Sequence, residues 1–311
     1  MPFRGEQFTY REGTYWYHSH QQSSEQVKRG LFGSFVVLSG DEEGKMKKIT
    51  SIGDDWIFNG QEVLVSEELE QGGVKKRMST DSDVRLGLIN TTNYTKTYFI
   101  EGTRFKVAAI DGQSIHKPQE LENMKLELGA GGRYDVLFTM SEKPVLIKTI
   151  GYSQHGKTGA RLLLSQDDQG SIPLISAKMP SFKPEKYGES LQTPFDLLSH
   201  FDREFIMVLG QRFGFYDGKP NYLWTINGEV FPNTPTLMVK EGDFAKITFV
   251  NKNFMDHPMH LHGHRMLVLS KNGKPVTGNR YSERKHLKAL FLRTIQACCG
   301  WIIVTILIMQ L

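Results

Sequence analysis

The stretch TPTLMVKEGDFAKITFVNKNFMDHPMHLHGHRMLVLSKNGKPV, residues 234–276, contains both the strand pattern and the histidine cluster that decide how this chain folds. Short runs rich in Val, Ile, Phe, Leu and Thr alternate with Gly, Asn, Asp and Pro, which is typical of β-strands joined by tight turns. The Asn-Gly pair in KNGK, 271–274, is a strong hairpin signal. Four of the ten histidines lie in HPMHLHGH, 257–264. We therefore expect a β-domain that carries a metal site.

The same pattern of short β-prone runs extends over most of the chain, and helical periodicity is scarce. Clear examples are GLFGSFVVL, VRLGLINTT, TKTYFIEG, FKVAAIDGQ, PVLIKTIGY, ARLLLS and YLWTINGEVF. Strands at this spacing predict an all-β protein built from β-sandwiches or barrels.

Shifts in composition divide the chain into segments. Residues 166–200 contain four of the twelve prolines and little periodicity, which is typical of an interdomain linker. A weaker boundary is the charged, turn-like segment GDEEGKMKK at 40–48. We predict a β fragment at 1–45, a complete β-domain at 46–165 and a third β-domain at 201–311.

Length, charge and cysteine content exclude several classes of function. A chain of 311 residues with a formal net charge of +4 and scattered Lys and Arg gives no indication of nucleic acid or a membrane surface as partner. The only two cysteines, Cys298 and Cys299, are adjacent, which excludes a disulfide framework. No signal peptide is recognisable at the N-terminus, and the apolar run at 301–311 is too short to span a bilayer.

A first histidine pair lies in YWYHSHQQ, residues 15–22. Side chains alternate between the two faces of a strand, so Trp16, His18 and His20 are predicted to share one face. The two imidazoles would then project side by side, close enough to bind one metal ion or two.

The second cluster repeats this arrangement. His260 and His262 share a face of the predicted strand, and His257 comes just before it, with Pro258 fixing the backbone between them. Imidazole suits Cu, Zn, Fe and Ni, and the lack of neighbouring acidic or thiol side chains favours copper. His264 continues the alternation but is interpreted as structural. The other histidines show no partner pattern and are interpreted as ordinary surface or hydrogen-bonded residues: His116, His155, His200 and His286.

These motifs resemble those of the multicopper oxidases, the family of the laccases and of the bacterial copper-resistance oxidases. The resemblance is carried by GTYWYHSHQ (13–21), RGLFGSFVVL (29–38) and the segment 226–264 that ends in HPMHLHGH. The segments 88–115 and 126–140 are similar to the family's central domain. The resemblance implies tandem cupredoxin-like Greek-key β-sandwiches, with 1–45 as the C-terminal remnant of the first.

The resemblance also implies copper as cofactor, in a mononuclear type 1 site, a type 2 site and a binuclear type 3 site. A phenolic or metal-ion donor would be oxidised by one-electron steps, and dioxygen would be reduced to water at the trinuclear cluster. Carried over by position, His18 and His20 would be type 3 ligands, His257 a type 1 ligand, His260 a type 2 ligand and His262 a type 3 ligand. The expected partners are this electron donor and dioxygen. Family members are mostly exported, so an extracytoplasmic location is expected.

Two of the family's four histidine motifs are not found in this sequence. An early His-X-His would precede Met1, and a His-Cys-His motif should follow residue 282, where SERKHLKALFLRTIQACCGWIIVTILIMQL stands instead. That tail fits no strand pattern of the family, so the third domain is expected to lose strands and to expose sheet edges. Without the cysteine, the type 1 site lacks the thiolate that sets its potential, and we expect an impaired oxidase.

A shifted reading frame would explain the tail. One permitted set of codons for 293–311, read two nucleotides later, encodes DNPGLLWMDHCHDLDHAT, which contains the missing His-Cys-His. We therefore expect a frameshift near residue 283. Two other interpretations stay open: a copper-binding or storage module without catalysis, and a hydrolytic zinc protein, although zinc hydrolases usually add a carboxylate and these clusters offer only Asp256 nearby.

Overall fold

A computed structural model describes the chain over residues 12–20, 23–38, 40, 44–52, 55–58, 61–63, 74–153, 156–166, 179–189, 196–240, 242–259, 266–276, 292–295 and 302–309. The chain divides into two compact units, Met1–Phe182 and Lys183–Leu311. None of the described helices is long and apolar enough to cross a membrane.

The first unit begins with a small two-stranded sheet. Strand β1 (Gly13–His18) pairs antiparallel with β2 (Phe32–Val37), and the short helix α1 (Ser23–Lys28) connects them. Gly33 on β2 pairs with Tyr17 on β1, and the tyrosine ring occupies the space that a Cβ atom at position 33 would need. This hairpin carries the predicted histidine pair at its connecting end.

The rest of the first unit, which we call the central domain, consists of two sheets. Their strands in chain order are β3 (Lys47–Ile52), β4 (Asp55–Phe58), β5 (Gln61–Val63), β6 (Val74–Arg77), β7 (Asp83–Ile89), β8 (Lys96–Glu101), β9 (Lys106–Ile110), β10 (Gln113–Ser114), β11 (Lys125–Leu128), β12 (Arg133–Thr139), β13 (Val145–Ser153), β14 (Gly156–Thr158) and β15 (Arg161–Ser165). One sheet has the order β10-β9-β12-β7-β3-β4-β5 and the other β11-β8-β13-β15-β6. The core between them includes Leu86, Ile100, Val136 and Leu162, all fully buried.

The second unit contains the strands that we call the third domain. They are β16 (Arg203–Tyr216), β17 (Lys219–Ile226), β18 (Phe244–Asn251), β19 (His257–Met259), β20 (Met266–Lys271), β21 (Lys274–Pro275), β22 (Leu292–Ile295) and β23 (Ile302–Met309). The main sheet has the order β17-β16-β18-β23-β20-β21, and β19 pairs with β22. A small core of Met207, Leu209, Ala245, Ile247 and Phe249 lies on this sheet.

The predictions from strand pattern and turn chemistry are confirmed. Both units are built from β-strands, and KNGK forms the β20–β21 hairpin with Asn272 and Gly273 at φ of 53° and 71°. Positive φ at both central residues is the geometry that favours Asn-Gly in two-residue hairpins.

The tail, which fits no strand pattern of the family, nevertheless forms a strand at residues 302–309. Strand β23 pairs antiparallel with β18 on one side and with β20 on the other. The segment IIVTILIM has the β-branched composition that favours strands, and the two neighbouring strands offer it unpaired backbone groups on both sides. The described part of the third domain therefore keeps a continuous sheet.

Glu101, at the end of β8, is a carboxyl group inside the central domain. Its side chain is only 6% exposed, and its Oε1 has no hydrogen-bond partner among the described residues. Burial raises its pKa above the ordinary 4.5, and the charge of Lys148 opposes that rise only in part. The folded state therefore retains this proton to a higher pH than the unfolded state does.

The first prediction concerns the pH dependence of stability. Below pH 4.5 both states are protonated at Glu101, whereas above it the unfolded state ionises first and stability falls as the pH rises through the folded pKa. Glu101→Gln should therefore be more stable than the parent at pH 7, and the two should converge at about pH 4. Urea unfolding at both pH values measures this, with Glu142→Gln at an exposed position as control. An equal difference at both pH values would contradict the prediction.

Candidate metal centre

The first histidine pair lies at the end of β1. His18 is the last residue of the strand and His20 follows it in a bend, yet the two rings stack with centroids 4.8 Å apart. The indole of Trp16 stacks on the other face of His18 at 4.1 Å. The structure thus brings Trp16, His18 and His20 into one aromatic column, in agreement with the predicted shared face.

A backbone contact defines which nitrogen of His18 is available to a ligand. The Nδ1 atom lies 3.0 Å from the carbonyl oxygen of Ser19, and a carbonyl oxygen can only accept a hydrogen bond. Nδ1 therefore carries the proton, and in the neutral ring Nε2 is left with its lone pair. This is the tautomer that metal-binding histidines adopt when the second nitrogen is held by a backbone carbonyl.

The strand that carries this pair is attached to the central domain by a buried carboxylate. Asp135 on β12 accepts hydrogen bonds from both the backbone N–H and the hydroxyl of Thr14 on β1. The same carboxylate is paired with Arg85 on β7 at 3.1 Å. Asp135 and Thr14 are each 1% exposed, so these contacts form away from water, where an ionised group needs such partners.

A second charged group fixes the next residues of β1. Arg133 donates from Nε to the carbonyl oxygen of Thr14 at 2.9 Å, and its guanidinium lies over the ring of Tyr15 at 5.4 Å. Asp111 accepts the backbone N–H of Arg133 at 2.8 Å. Thr14 is thus held through its N–H, its hydroxyl and its carbonyl.

Two glycines allow β1 to lie directly on the central domain. A Cβ atom at Gly87 would stand 2.7 Å from the hydroxyl of Thr14, and one at Gly112 would stand 2.7 Å from the ring of Tyr15. Neither distance is tolerated by non-bonded heavy atoms. Gly112 also has φ of 74°, which any larger residue would adopt only with strain. We call Gly87, Gly112, Asp135, Arg85 and Arg133 the seat of β1.

His257, the second candidate ligand that the structure describes, begins β19 in the third domain. Its Nε2 lies 2.9 Å from Oδ1 of Asn253, and that same oxygen accepts the backbone N–H of Met255 at 2.9 Å. The second contact settles the orientation of the amide, so Nε2 must donate and Nδ1 is left with its lone pair. The indole of Trp224 packs edge-on against the His257 ring at 5.1 Å.

The charge state of His257 also suits a metal ligand. Burial lowers its pKa below the ordinary 6.5, and the neighbouring Asp256 carboxylate opposes that effect only in part. The imidazole is therefore neutral at neutral pH, and a neutral imidazole is the form that binds metal.

The remaining candidates are not brought together by what the structure describes. His260, His262 and His264 lie outside the described residues, as do His155 and His286. Over the ranges given above, no group of three or more His, Cys, Asp and Glu side chains is arranged to hold a metal ion. The donors that are described nevertheless fit copper, because they are imidazoles, and in His18 and His257 one ring nitrogen is held by a neutral acceptor.

Sequence reasoning did not find the residues that position these histidines. Asp135 and Arg133 belong to the run GRYDVLFTM, where a charged pair inside a predicted strand was the available signal. Asn253 follows Asn251 in a loop, where it reads as turn chemistry. Their role depends on contacts with residues that are distant in sequence or on a side-chain geometry that spacing alone does not define.

The second prediction concerns the seat of β1. Asp135→Asn removes the charge that compensates Arg85 in a dry environment, so the free energy of unfolding should fall by about 3 kcal/mol. Asp83→Asn is the matched control, since Asp83 is an exposed carboxylate at the other end of the same strand pair that accepts a hydrogen bond from Thr139. The control should change stability by less than about 0.5 kcal/mol. Equal losses in the two variants, measured by urea unfolding, would be inconsistent with a seat at Asp135.

Family models, curated relatives and solved structures all indicate the same family. Two family models, both described as multicopper oxidase, match residues 12–146 and 205–304. Multicopper oxidase MmcO of Mycobacterium tuberculosis is 28% identical over 200 residues, which cover 62% of this chain and 37% of that protein. Iron transport multicopper oxidase FET3 of Candida glabrata is 23% identical over 312 residues, which cover 81% of this chain and 48% of the relative.

The fold is shared with solved structures of such enzymes. The crystal structure of Fet3p, a multicopper oxidase that functions in iron import, superposes with a TM-score of 0.67 at 14% identity, covering 96% of this chain and 67% of that one. The predicted fold class, cupredoxin-like β-sandwich domains in tandem, is thereby confirmed. The chain spans less than half the length of the two curated relatives. The matching family models and the shared fold together assign this chain to the multicopper oxidase family, whose cofactor is copper.

Proposed function

We propose that this chain carries part of the copper centres of a copper-dependent oxidoreductase that oxidises a phenolic or metal-ion donor and reduces dioxygen to water. The observation that carries the proposal is the state of the described histidines. His18 and His257 each have one ring nitrogen held by a neutral acceptor and the other available, and both lie in segments matched by the family models.

The ligand assignment follows the family motifs. His18 and His20 are proposed as ligands of the type 3 coppers, and His257 as a ligand of the type 1 copper. His260 is proposed for type 2 and His262 for type 3. His264 is left out, because its position continues the alternation without matching a ligand of the motif.

Each described side chain has a definable task in such a centre. When bound, copper supplies the one-electron steps between the donor and dioxygen. The Ser19 carbonyl and the Asn253 amide each hold one nitrogen of their histidine, so the other nitrogen would bind the metal with a fixed tautomer and raised basicity. Trp16 and Trp224 pack against the imidazoles and limit the rotation of the rings.

The electron donor and the location of the protein belong to the same proposal. Phenols and reduced metal ions are the two donor classes, and iron transport is named for the FET3 relative. An extracytoplasmic location fits the family resemblance.

We propose further that the 311-residue chain alone turns over poorly. Its two cysteines are adjacent at 298 and 299 and neither lies in a His-Cys-His motif, so the thiolate of the type 1 site is not supplied by this sequence. The same observation favours a second candidate function, copper binding or storage without catalysis. Copper uptake with and without oxygen consumption separates the two.

The third prediction is a copper titration followed by tryptophan fluorescence. A bound Cu²⁺ ion quenches an indole in contact with its ligand, and Trp16 and Trp224 contact candidate ligands directly. Replacing His18 and His20 by Gln should abolish the quenching of Trp16 and weaken binding there by about tenfold or more. His257→Gln should do the same for Trp224.

Controls for this titration are available in the chain. His200→Gln changes an exposed histidine outside the motifs and should leave both quenching phases unchanged. Trp16→Phe and Trp224→Phe assign each phase to its indole. Quenching that survives all the histidine replacements would refute the ligand assignment.

The fourth prediction concerns the reading frame. The nucleotide sequence around codon 283 should encode His-Cys-His in the shifted frame. A chain expressed from the shifted frame, together with the upstream His-X-His segment, should turn blue with copper and consume oxygen with a phenolic donor. A repaired, copper-loaded protein that remains colourless would count against the oxidase function and leave the storage module.

A further inference from the structure

The hairpin of β16 and β17 extends beyond the main sheet of the third domain. Strand β16 pairs with β18 only as far as Leu209, and among the described strands its remaining residues pair with β17 alone. Residues 210–225 thus form a two-stranded ribbon, which we call the aromatic ribbon. Its turn lies at Asp217 and Gly218, with φ of 48° and 73°.

One face of the aromatic ribbon continues the apolar face of the sheet. Directly paired residues of antiparallel strands share a face, and alternate pairs lie on the same face. Leu209 and Ile226 form such a pair and belong to the core of the third domain. The next three pairs on that face bring together four aromatic rings, a proline and a glutamine: Gln211–Trp224, Phe213–Tyr222 and Phe215–Pro220.

The four rings are open to solvent although they lie on the core side of the sheet. Phe213, Phe215 and Tyr222 are 63%, 68% and 67% exposed, and Trp224 is 49% exposed. Phe213 packs edge-on against Phe215 and Tyr222, with centroids 6.3 Å and 5.9 Å apart. The rings together expose on the order of 500 Å², a size at which an apolar surface patch is often functional.

One end of this face lies at a candidate copper ligand. The ring of Trp224 packs edge-on against the imidazole of His257, with centroids 5.1 Å apart. A planar molecule that stacks on the exposed part of the indole is therefore separated from His257 by a single ring. The ribbon thus offers both a surface for an aromatic molecule and a short connection to the proposed copper.

The charges of the aromatic ribbon distinguish between the two classes of donor. Residues 210–225 contain Arg212 and Lys219 against one carboxylate, Asp217, so the ribbon is net positive. The aromatic face itself carries neither the carboxylates that suit hard metal ions nor the sulfur ligands that suit Cu⁺. A metal-ion donor finds no ligand set there, whereas a phenol finds rings to stack on and, once ionised, a favourable charge.

A second copy of this chain fits the same face less well. Two such faces pressed together would bury about 1,000 Å² in total, which is the lower limit for a specific interface. They would also bring two net positive ribbons together, and like charges across an interface disfavour association. The size and charge of the face therefore favour a small aromatic molecule as its occupant.

We propose that the aromatic ribbon binds the electron donor, and that this donor is a phenol rather than a metal ion. The inference rests on the proposed role of His257 as a copper ligand. The bound phenol gives one electron, through the contact of Trp224 with His257, to the Cu²⁺ ion at that histidine, which becomes Cu⁺. Its hydroxyl proton passes to water, and the donor leaves as a phenoxyl radical.

The first test measures binding of guaiacol to the copper-free 311-residue chain by saturation-transfer NMR. Phe213→Leu combined with Tyr222→Leu keeps apolar side chains but removes two rings, and should weaken guaiacol binding by about fivefold or more. Tyr216→Leu removes an equally exposed ring from the opposite face of the ribbon and should leave binding unchanged. Cyclohexanol, which has no aromatic ring, should bind the parent and both variants equally weakly. Equal binding of guaiacol to the parent and the double variant overturns the proposal.

The second test places the bound ring relative to the metal. Anisole has no hydroxyl proton to lose, so it occupies the face without being oxidised. One equivalent of Cu²⁺ should broaden the proton resonances of anisole in the parent and in Tyr216→Leu, because the unpaired electron relaxes nearby protons. The effect should be lost in the double variant, and Zn²⁺, which has no unpaired electron, should give none. Broadening that is equal in the parent and the double variant overturns the proposal.

Sedimentation tests the second copy as occupant of the face. The parent and the double variant should have the same sedimentation coefficient, and that result supports the proposal. A dimer of the parent that the double variant dissociates would assign the aromatic face to a second copy and overturn the phenol site.

His257→Gln separates a failure of this inference from a failure of the proposed function. This variant should bind guaiacol like the parent and lose the broadening of anisole by Cu²⁺. Broadening that persists in His257→Gln contradicts the ligand role of His257 and with it the proposed function. Guaiacol binding that is insensitive to the rings of the ribbon contradicts only the donor site, because it is measured without copper.

Discussion

The contact between Thr14 and Asp135 is the constraint on which the first histidine pair depends. Among the strands that the structure describes, β1 pairs with β2 alone, and a two-stranded ribbon is marginally stable by itself. Asp135 connects that ribbon to the two-sheet core through the N–H and the hydroxyl of Thr14, and Arg85 neutralises the carboxylate. The positions of His18 and His20 relative to the central domain thus depend on the attachment of Thr14, which lies four residues before His18 on the same strand.

Glycine at two positions of the seat lets β1 lie close to the backbone of the central domain. Gly87 and Gly112 let Thr14 and Tyr15 approach the sheet to distances that an alanine would prevent. Close approach in turn excludes water, which raises the cost of breaking the Asp135–Arg85 pair. The two glycines and the buried Asp135 carboxylate therefore act together in attaching β1 to the central domain.

Local features of this fold could be predicted from the sequence, and long-range pairing could not. The KNGK hairpin and the alternation that brings Trp16, His18 and His20 together depend on neighbouring residues, so periodicity and turn chemistry suffice. Thr14 and Asp135 are 121 residues apart in sequence, and no sequence pattern predicts that they are in contact. The strand at 302–309 was missed for a related reason, since its place depends on the gap between β18 and β20 rather than on the family pattern of the tail.

Two asparagine turns, at Asn90 before β8 and at Asn251 before β19, are held by the same hydrogen bonds. In each turn the asparagine accepts the backbone N–H two residues later and donates to the backbone carbonyl four residues later, and Asn90 donates in addition to the carbonyl of Leu128. The residue six positions after the asparagine takes no part in these bonds, so an imidazole or an amine can stand there without disturbing the turn. The residue two positions after the asparagine differs between the turns, because Asn253 reaches the ring of His257 whereas Thr92 donates its hydroxyl to Asn90.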